Sequence, residues 1–179
     1  MLRRVLKWSS EKRSAKERAI ALAVGAVVFG FLIPSALIAI GSSLDSSLGF
    51  SIPLPLFVRR IIGLFLILIG WPFALWAVFV QYRVGGGTPL PMAPTQKLAT
   101  SGPYKYCRNP MALGTLLFYS GLFFLFGIAS ALVILTPAIF IPILVYVKLV
   151  EEKELEIRFG AKYLEYKRRT PFLIPRIRR

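Results

Sequence analysis

Long apolar runs alternate with shorter polar segments along the chain. The runs cover residues 19–41, 58–80, 110–127 and 130–150, and only the tetrapeptide GIAS joins the last two. A helix needs roughly 20 apolar residues to cross a bilayer, and lipid does not accommodate exposed irregular backbone. The pattern therefore predicts an all-α integral membrane protein with about four transmembrane helices, of which the last two form a tight hairpin.

The polar segments around these runs differ in charge. Residues 1–18 carry seven Lys or Arg and two Glu, whereas residues 42–55 carry no Lys or Arg. Residues 81–109 form the longest polar connection, and residues 151–169 have the pattern of a charged amphipathic helix. We therefore predict a basic cytoplasmic surface segment at 1–18, an external loop at 42–55 and a cytoplasmic C-terminal amphipathic helix.

Basic residues concentrate on one side of this predicted topology. The chain has 23 Lys and Arg against 8 Asp and Glu, and all but Arg59 and Arg60 fall on the side of the two termini. Because cytoplasmic loops carry an excess of Lys and Arg, we expect a multi-pass protein with both termini in the cytoplasm. Its partners should include the lipid bilayer. We expect no nucleic acid, since the charges flank apolar runs and form no soluble basic domain.

The composition also restricts the chemistry. The chain has no His and one Cys, Cys107. Those counts exclude an internal disulfide, a Cys-based zinc site and Ser-His or Cys-His catalysis, and we expect no metal. An enzyme of this composition must use carboxylates, Tyr, Lys or Arg, or a reaction that needs little acid–base help.

Two polar segments bracket the last predicted hairpin. Residues 96–114 precede it and residues 147–171 follow it. A hairpin returns the chain to the side from which it started, so both segments should meet at the cytoplasmic surface and form a polar pocket there.

The second of these segments carries carboxylates at its membrane end. On a regular helix, Glu151 would share one face with Leu155, Phe159 and Tyr166. A carboxylate in that position needs a cationic partner, because an unpaired charge near lipid is costly. A purely structural interpretation is that Glu151 and Glu152 form salt bridges to Arg108 or Lys105.

The residues of both segments resemble a known family. The sequences LATSGPYKYCRNPMALG, at residues 98–114, and EEKELEIRFGAKYLEYKRRTPFLIP, at residues 151–175, are similar to the isoprenylcysteine carboxyl methyltransferases. That family belongs to a wider group of membrane methyltransferases, which includes phospholipid N-methyltransferases. The similarity covers roughly residues 82–175. It implies a methyltransferase-like core at 81–179, behind two N-terminal transmembrane helices at 19–80.

The resemblance implies a site for S-adenosylmethionine at the cytoplasmic face. The implied cofactor-binding residues are Gln96, Lys97, Leu98, Ala99, Gly102, Tyr104, Asn109, Pro110, Met111, Ala112 and Glu151. The candidate catalytic residues are Arg108, Glu151 and Glu152. The candidates for contact with the acceptor are Lys148, Tyr163, Tyr166 and Arg168.

The chain departs from the family pattern at three positions. Asn109 and Ala112 stand where the family has His and Tyr, and Val147 stands where it has an Arg that contacts the acceptor. An Arg would grip a carboxylate through two hydrogen bonds. Without this Arg, a carboxylate acceptor would have to be bound by Lys148 or Arg168. The alternative is that the acceptor is a lipid amine.

The predicted function is methyl transfer from S-adenosylmethionine to a lipophilic acceptor, for which the resemblance implies the carboxylate of an isoprenylcysteine-like group. A carboxylate is ionised near pH 7 and needs no base, which fits the absence of His. A phospholipid amine would first lose a proton, with Glu151 or Glu152 as the base. A membrane reductase of the sterol-reductase type would instead prefer a nicotinamide cofactor, and a non-catalytic membrane scaffold would bind no cofactor.

Overall fold

A computed structural model describes residues 14–88 and 95–175, and within these ranges the chain is helical and contains no strand. The helices are α1 (Ala15–Leu48), α2 (Leu56–Gly85), α3 (Pro110–Phe126), α4 (Ala131–Phe159) and α5 (Ala161–Arg169). A short 3-10 turn covers Gly102–Lys105. The predicted all-α class is confirmed. Most of the basic segment predicted at 1–18 lies outside the described residues.

Among the residues that the structure describes, three helices are long and apolar enough to cross a membrane, namely α1, α2 and α4. Helix α3 is also apolar, but it has 17 residues. At about 1.5 Å per residue it measures about 26 Å, which is less than the roughly 30 Å of a bilayer core. The protein is therefore an integral membrane protein, and the count of four transmembrane helices stays a prediction.

The first helix extends beyond the predicted run at both ends. It begins after Ser14, whose hydroxyl accepts a hydrogen bond from the backbone N–H of Glu17 at 3.2 Å. At its other end it runs through part of the predicted external loop to Leu48. The hydroxyls of Ser46 and Ser47 donate to backbone carbonyls one turn earlier, each at 2.9 Å. These bonds satisfy the serines inside the helix, so the loop shortens to 49–55.

Helices α2 and α3 pack with their backbones in contact. A Cβ atom added to Gly70 would lie 2.6 Å from the backbone nitrogen of Phe118, and one added to Gly114 would lie 2.7 Å from the carbonyl oxygen of Gly70. Gly63 and Gly121 meet in the same way. A Cβ atom added to either glycine would lie 2.7 Å from the carbonyl oxygen of the other. Small residues let helices approach this closely in lipid. On each helix the two glycines are seven residues apart, which is the period that keeps one face of a helix on its neighbour.

A carboxylate connects α1 to the start of α4. Asp45 accepts hydrogen bonds from the backbone N–H groups of Ala129 and Ser130, each at 2.8 Å. The hydroxyl of Ser130 donates to the carbonyl of Gly41 at 2.8 Å. These N–H groups have no partner inside α4, so Asp45 acts as its N-terminal cap. The contact places the end of α1 and the α3–α4 turn at one end of the bundle.

The predicted C-terminal helix at 151–169 is divided in the structure. Helix α4 continues as far as Phe159, Gly160 has φ +55°, and α5 follows. A π-helical turn, Val147–Glu151, also changes the register of α4 before the division. Residues 151–169 therefore do not share the single face that regular helical spacing predicts.

Candidate active site

The polar connection after α2 folds back onto the end of that helix. The backbone N–H groups of Gln96 and Lys97 both donate to the carbonyl of Gly85, at 2.6 and 3.0 Å. Gly102 has φ +59°, and a Cβ atom there would lie 2.8 Å from Cγ2 of Val80. Only glycine suits both the left-handed backbone and the close approach. The Gly-Pro-Tyr turn is therefore held against α2.

Several predicted cofactor residues form one cluster beside this turn. Ala99 and Tyr104 are buried with two residues of α2, and Met111 and Tyr166 pack against them. The hydroxyl of Tyr166 donates to the backbone carbonyl of Tyr104 at 2.8 Å. The structure thus brings together residues from the loop, α3 and α5, as the bracketing of the hairpin predicts.

Arg108 joins α4 and α5 to the start of α3. Its Nε and Nη2 donate to Oε1 of Glu152 at 2.9 and 2.6 Å. Its Nη1 donates to the backbone carbonyls of Lys167, at 3.0 Å, and Thr170. The ion pair between Arg108 and Glu152 confirms one pairing that the structural interpretation of the sequence proposes.

Glu152 is part of a closed ionic network. Only 3% of its surface is exposed. Besides Arg108, Nζ of Lys167 lies 3.0 Å from its Oε2 and 2.6 Å from Oε1 of Glu156. The hydrogen bonds to Glu156 and then to Glu152 raise the pKa of Lys167, which keeps it cationic. Each buried charge therefore has an opposite charge beside it.

Glu151 differs from its neighbour in both exposure and pairing. Its side chain is exposed, and within the described part of the chain it forms no ion pair or hydrogen bond. It lies close enough to Tyr104 for its charge to act there. Burial, then Tyr166, then the Glu151 carboxylate raise the pKa of Tyr104, so this phenol stays protonated. A carboxylate without a described partner thus lies near the buried Gly-Pro-Tyr turn.

The segment after α5 closes over the start of α3. The backbone N–H of Arg108 donates to the carbonyl of Pro171 at 2.9 Å, and the N–H of Asn109 donates to that of Phe172 at 3.2 Å. The side-chain amide of Asn109 donates to the same Phe172 oxygen at 3.0 Å. The Phe172 ring centroid lies 5.8 Å from both Cζ of Arg108 and Nζ of Lys148.

The other acceptor candidates lie in different surroundings. Tyr163 is buried, and its ring centroid lies 6.2 Å from that of Tyr166, so its observed contacts are packing contacts. Arg168 is exposed and lines an open hollow on the outer surface of α5. Lys148 is the acceptor candidate whose cation lies beside the Arg108–Phe172 contact.

The remaining predicted cofactor residues lie around the turn and the start of α3. Pro110 is buried at the first position of α3, whereas Ala112 and Leu98 are half-buried and Lys97 is exposed. An open cleft of about 480 Å³ separates the loop from α5 and is lined in part by Leu98, Lys105 and Tyr166. Cys107 is fully buried, and burial raises its pKa to about 11. Its thiol is therefore a poor nucleophile at neutral pH.

Sequence reasoning missed Lys167, Thr170 and Phe172 as members of this site. Lys167 reaches Glu152 because the chain turns at Gly160, and the spacing of residues along the sequence does not predict that turn. Within the described ranges, no group of three or more His, Cys, Asp or Glu could hold a metal ion. The carboxylate of Glu151 suits a cationic group of a ligand, and the apolar and aromatic side chains around Tyr104 suit an apolar or flat group.

The sequence of the chain matches a known protein family. The family model described as "Phospholipid methyltransferase" matches residues 58–162. The chain is also similar to methanethiol S-methyltransferase 2 of Bradyrhizobium diazoefficiens, with 33% identity over 111 residues. The matched stretch covers 59% of this chain and 37% of that protein. The chain thus spans little more than a third of that relative's length. No solved structure matches.

Proposed function

Since the chain belongs to the phospholipid methyltransferase family, we propose that it transfers the methyl group of S-adenosylmethionine to an acceptor with a lipophilic tail. The family match covers α2, α3, α4 and their connections, and therefore includes Arg108, Glu151 and the Gly-Pro-Tyr turn. The proposed orientation places this end of the bundle and both termini in the cytoplasm, because 21 of the 23 Lys and Arg then lie on that side.

The carboxylate of Glu151, which has no described partner, carries this proposal. Adjacent Glu152 has two cationic partners, whereas Glu151 has none among the residues that the structure describes. The cofactor has an ammonium and a sulfonium, and a carboxylate without a protein partner is suited to the ammonium. A hydrogen bond between charged groups of this kind contributes about 1.5–3 kcal/mol.

The loop supplies the other proposed cofactor contacts. Gln96, Lys97, Leu98 and Ala99 follow the anchor at Gly85, and Gly102 and Tyr104 lie between them and α3. Asn109 to Ala112 form the start of α3. These residues offer backbone polar groups, an aromatic ring and small apolar side chains, which together suit the adenosine of the cofactor. The fit rests on Gly102, whose missing Cβ lets the loop lie against α2.

When bound, S-adenosylmethionine supplies a methyl group on a sulfonium, which a nucleophile takes by direct displacement as the carbon–sulfur bond breaks. The protein then has to align the acceptor with that bond and keep water away. Buried Tyr104 and Cys107 stay protonated and take no part as bases. A carboxylate acceptor needs no proton transfer, so the absence of His from the chain is no obstacle.

The acceptor's tail can reach the site through lipid. The last turns of α4 before Glu151 expose apolar side chains, among them Ile143, Tyr146 and Leu149. In a bilayer these side chains contact lipid, so a tail can lie along α4 while its polar head reaches Glu151. We propose that the head is a carboxylate, which Lys148 can bind. Lys148 supports this choice because its only described partner is the Phe172 ring.

A lipophilic thiol is the second candidate acceptor. The name of the Bradyrhizobium diazoefficiens relative assigns it methylation of a thiol, methanethiol. A thiol attacks as its thiolate, and a cation such as Lys148 favours that form. Carboxylate and thiol acceptors therefore use the same cation but differ in ionisation at neutral pH.

The test is a screen for acceptors with radiolabelled S-adenosylmethionine and native lipid extract, with Glu151→Gln as the control. We expect label in a product with a lipophilic tail, and much less label with the variant. The rate should be nearly flat from about pH 6 to 8 for a carboxylate and should rise with pH for a thiol or an amine. No binding of S-adenosylmethionine by the intact protein would refute the proposal, as would equal methylation of tail-free acceptors.

A further inference from the structure

The guanidinium of Arg108 is almost fully occupied by protein atoms. Of its five N–H donors, one from Nε and one from Nη2 bind Glu152, and two from Nη1 bind backbone carbonyls. Its side chain is 10% exposed. One N–H remains, which leaves little of the group to contact a substrate.

The carbonyls that Arg108 binds are those left unpaired at the end of α5. The carbonyl of Lys167 would pair with the N–H of residue 171 in a continuing helix, but Pro171 has no N–H. The carbonyl of Thr170 lies just past the last helical residue. A cation is favourable at a helix C-terminus, where the free carbonyls and the helix dipole both attract it. Arg108 therefore caps α5 and, through Glu152, attaches it to α4.

Helix α5 in turn contacts the Gly-Pro-Tyr turn and the residue next to Glu151. Tyr166 of α5 donates to the carbonyl of Tyr104 in the Gly-Pro-Tyr turn. Glu152, which Arg108 and Lys167 hold, is the sequence neighbour of Glu151. The separation between the turn and Glu151 thus depends on where α5 is docked.

We propose that Arg108 is a positioning residue that docks α5 and thereby holds Tyr104 and Glu151 at the separation that the cofactor requires. This inference rests on the proposed function. Because the cofactor would bridge the two parts that α5 joins, its binding and the docking of α5 must stabilise each other by the same factor.

The test compares Arg108→Lys with Arg169→Lys. Lys keeps the charge but cannot reproduce four hydrogen bonds in a fork. Arg169 is exposed on α5 and pairs only with exposed Glu165 in the described structure, so its variant is the matched control. Both variants keep the trypsin sites of α5. Three quantities are measured: tryptic cleavage within α5 without cofactor, the dissociation constant of S-adenosylmethionine, and kcat at saturating cofactor.

For Arg108→Lys we expect cleavage about tenfold faster and cofactor binding about tenfold weaker, as for the loss of one hydrogen bond to a charged group. Saturating cofactor should slow cleavage of the unmodified protein, and kcat at saturation should stay within a few-fold of the control. Unchanged cofactor affinity with a large fall in kcat would overturn the inference, because it would mean that Arg108 contacts the reacting atoms.

Tyr166→Phe provides a second test if Arg108→Lys does not fold. It removes one hydroxyl and its bond to Tyr104, and it should weaken cofactor binding about threefold to tenfold. Unchanged affinity in this variant would contradict a role for α5 in the site. The cleavage comparison without cofactor does not depend on the proposed function. If the unmodified protein binds no S-adenosylmethionine, the proposed function fails, while equal cleavage of Arg108→Lys and its control refutes the docking role.

Discussion

Glu151 and Glu152 are adjacent in sequence, and the same substitution should lower a different property of the protein at each position. Glu152 is 3% exposed and accepts from Arg108 and Lys167, whereas Glu151 is exposed and has no described partner. Glu→Gln preserves the shape of either side chain and removes its charge. We therefore expect Glu152→Gln to lower stability and Glu151→Gln to lower cofactor affinity.

The magnitudes follow from the partners. Loss of one member of a buried ion pair costs about 3–5 kcal/mol. Gln still offers one acceptor oxygen to Arg108, and Lys167 keeps Glu156 at 2.6 Å, so we expect about 2–3 kcal/mol for Glu152→Gln. For a protein of this size, that corresponds to a fall in Tm of about 4–12 °C. Glu151→Gln should leave Tm unchanged and weaken S-adenosylmethionine binding about 10- to 150-fold, from about 1.5–3 kcal/mol.

Both quantities can be measured on the same detergent-solubilised samples. Intrinsic tryptophan fluorescence during heating gives Tm, and titration calorimetry gives the dissociation constant. A third variant, Glu165→Gln, changes an exposed carboxylate on α5 and should alter neither quantity. An equal fall in Tm for Glu151→Gln and Glu152→Gln, or an unchanged Tm for Glu152→Gln, would contradict the separate roles of the two carboxylates.

Three further predictions concern the bundle. Gly70→Ala should cost about 1–3 kcal/mol in thermal unfolding because its Cβ meets backbone of α3 at 2.6 Å. Gly30→Ala, whose Cβ meets only a Trp ring at 3.2 Å, should cost less, and equal costs would contradict the close helix contact. Asp45→Ala should speed hydrogen exchange at the start of α4 at least tenfold, since two amides lose their acceptor; unchanged exchange would disprove the cap. In a cysteine-free background, Ser51→Cys should react with an impermeant thiol reagent only from outside and Thr100→Cys only from inside, and the reverse would invert the proposed orientation.

The helical architecture was predictable because lipid leaves an apolar run of 20 residues few alternatives to a helix. The meeting of residues 96–114 with 147–171 was predictable for a related reason, since a tight hairpin must bring its two flanks to one side. The pair between Arg108 and Glu152 follows from that meeting and from the cost of an unpaired buried charge.

The details that decide the site were not predictable from periodicity. The π-helical turn at Val147–Glu151 and the break at Gly160 both change the direction in which later side chains point. A spacing of 100° per residue therefore misplaces residues 151–169, and it cannot tell which of two adjacent Glu residues is buried. The close contact of α2 and α3 does have a signal in the sequence, because the glycines that meet there are seven residues apart on both helices.

The cap that Asp45 provides for α4 joins two segments that are synthesised at different times. The ribosome adds Asp45 to the chain 84 residues before Ala129, whose backbone N–H donates a hydrogen bond to the Asp45 carboxylate. At about 5–20 residues per second, the interval lasts roughly 4–17 s. Throughout it, the newborn α1 carries a carboxylate that lipid does not tolerate without a partner. We therefore expect Asp45 to keep its end of α1 at the aqueous boundary until Ala129 and Ser130 are available, so that α1 completes this contact only after the start of α4 has been synthesised.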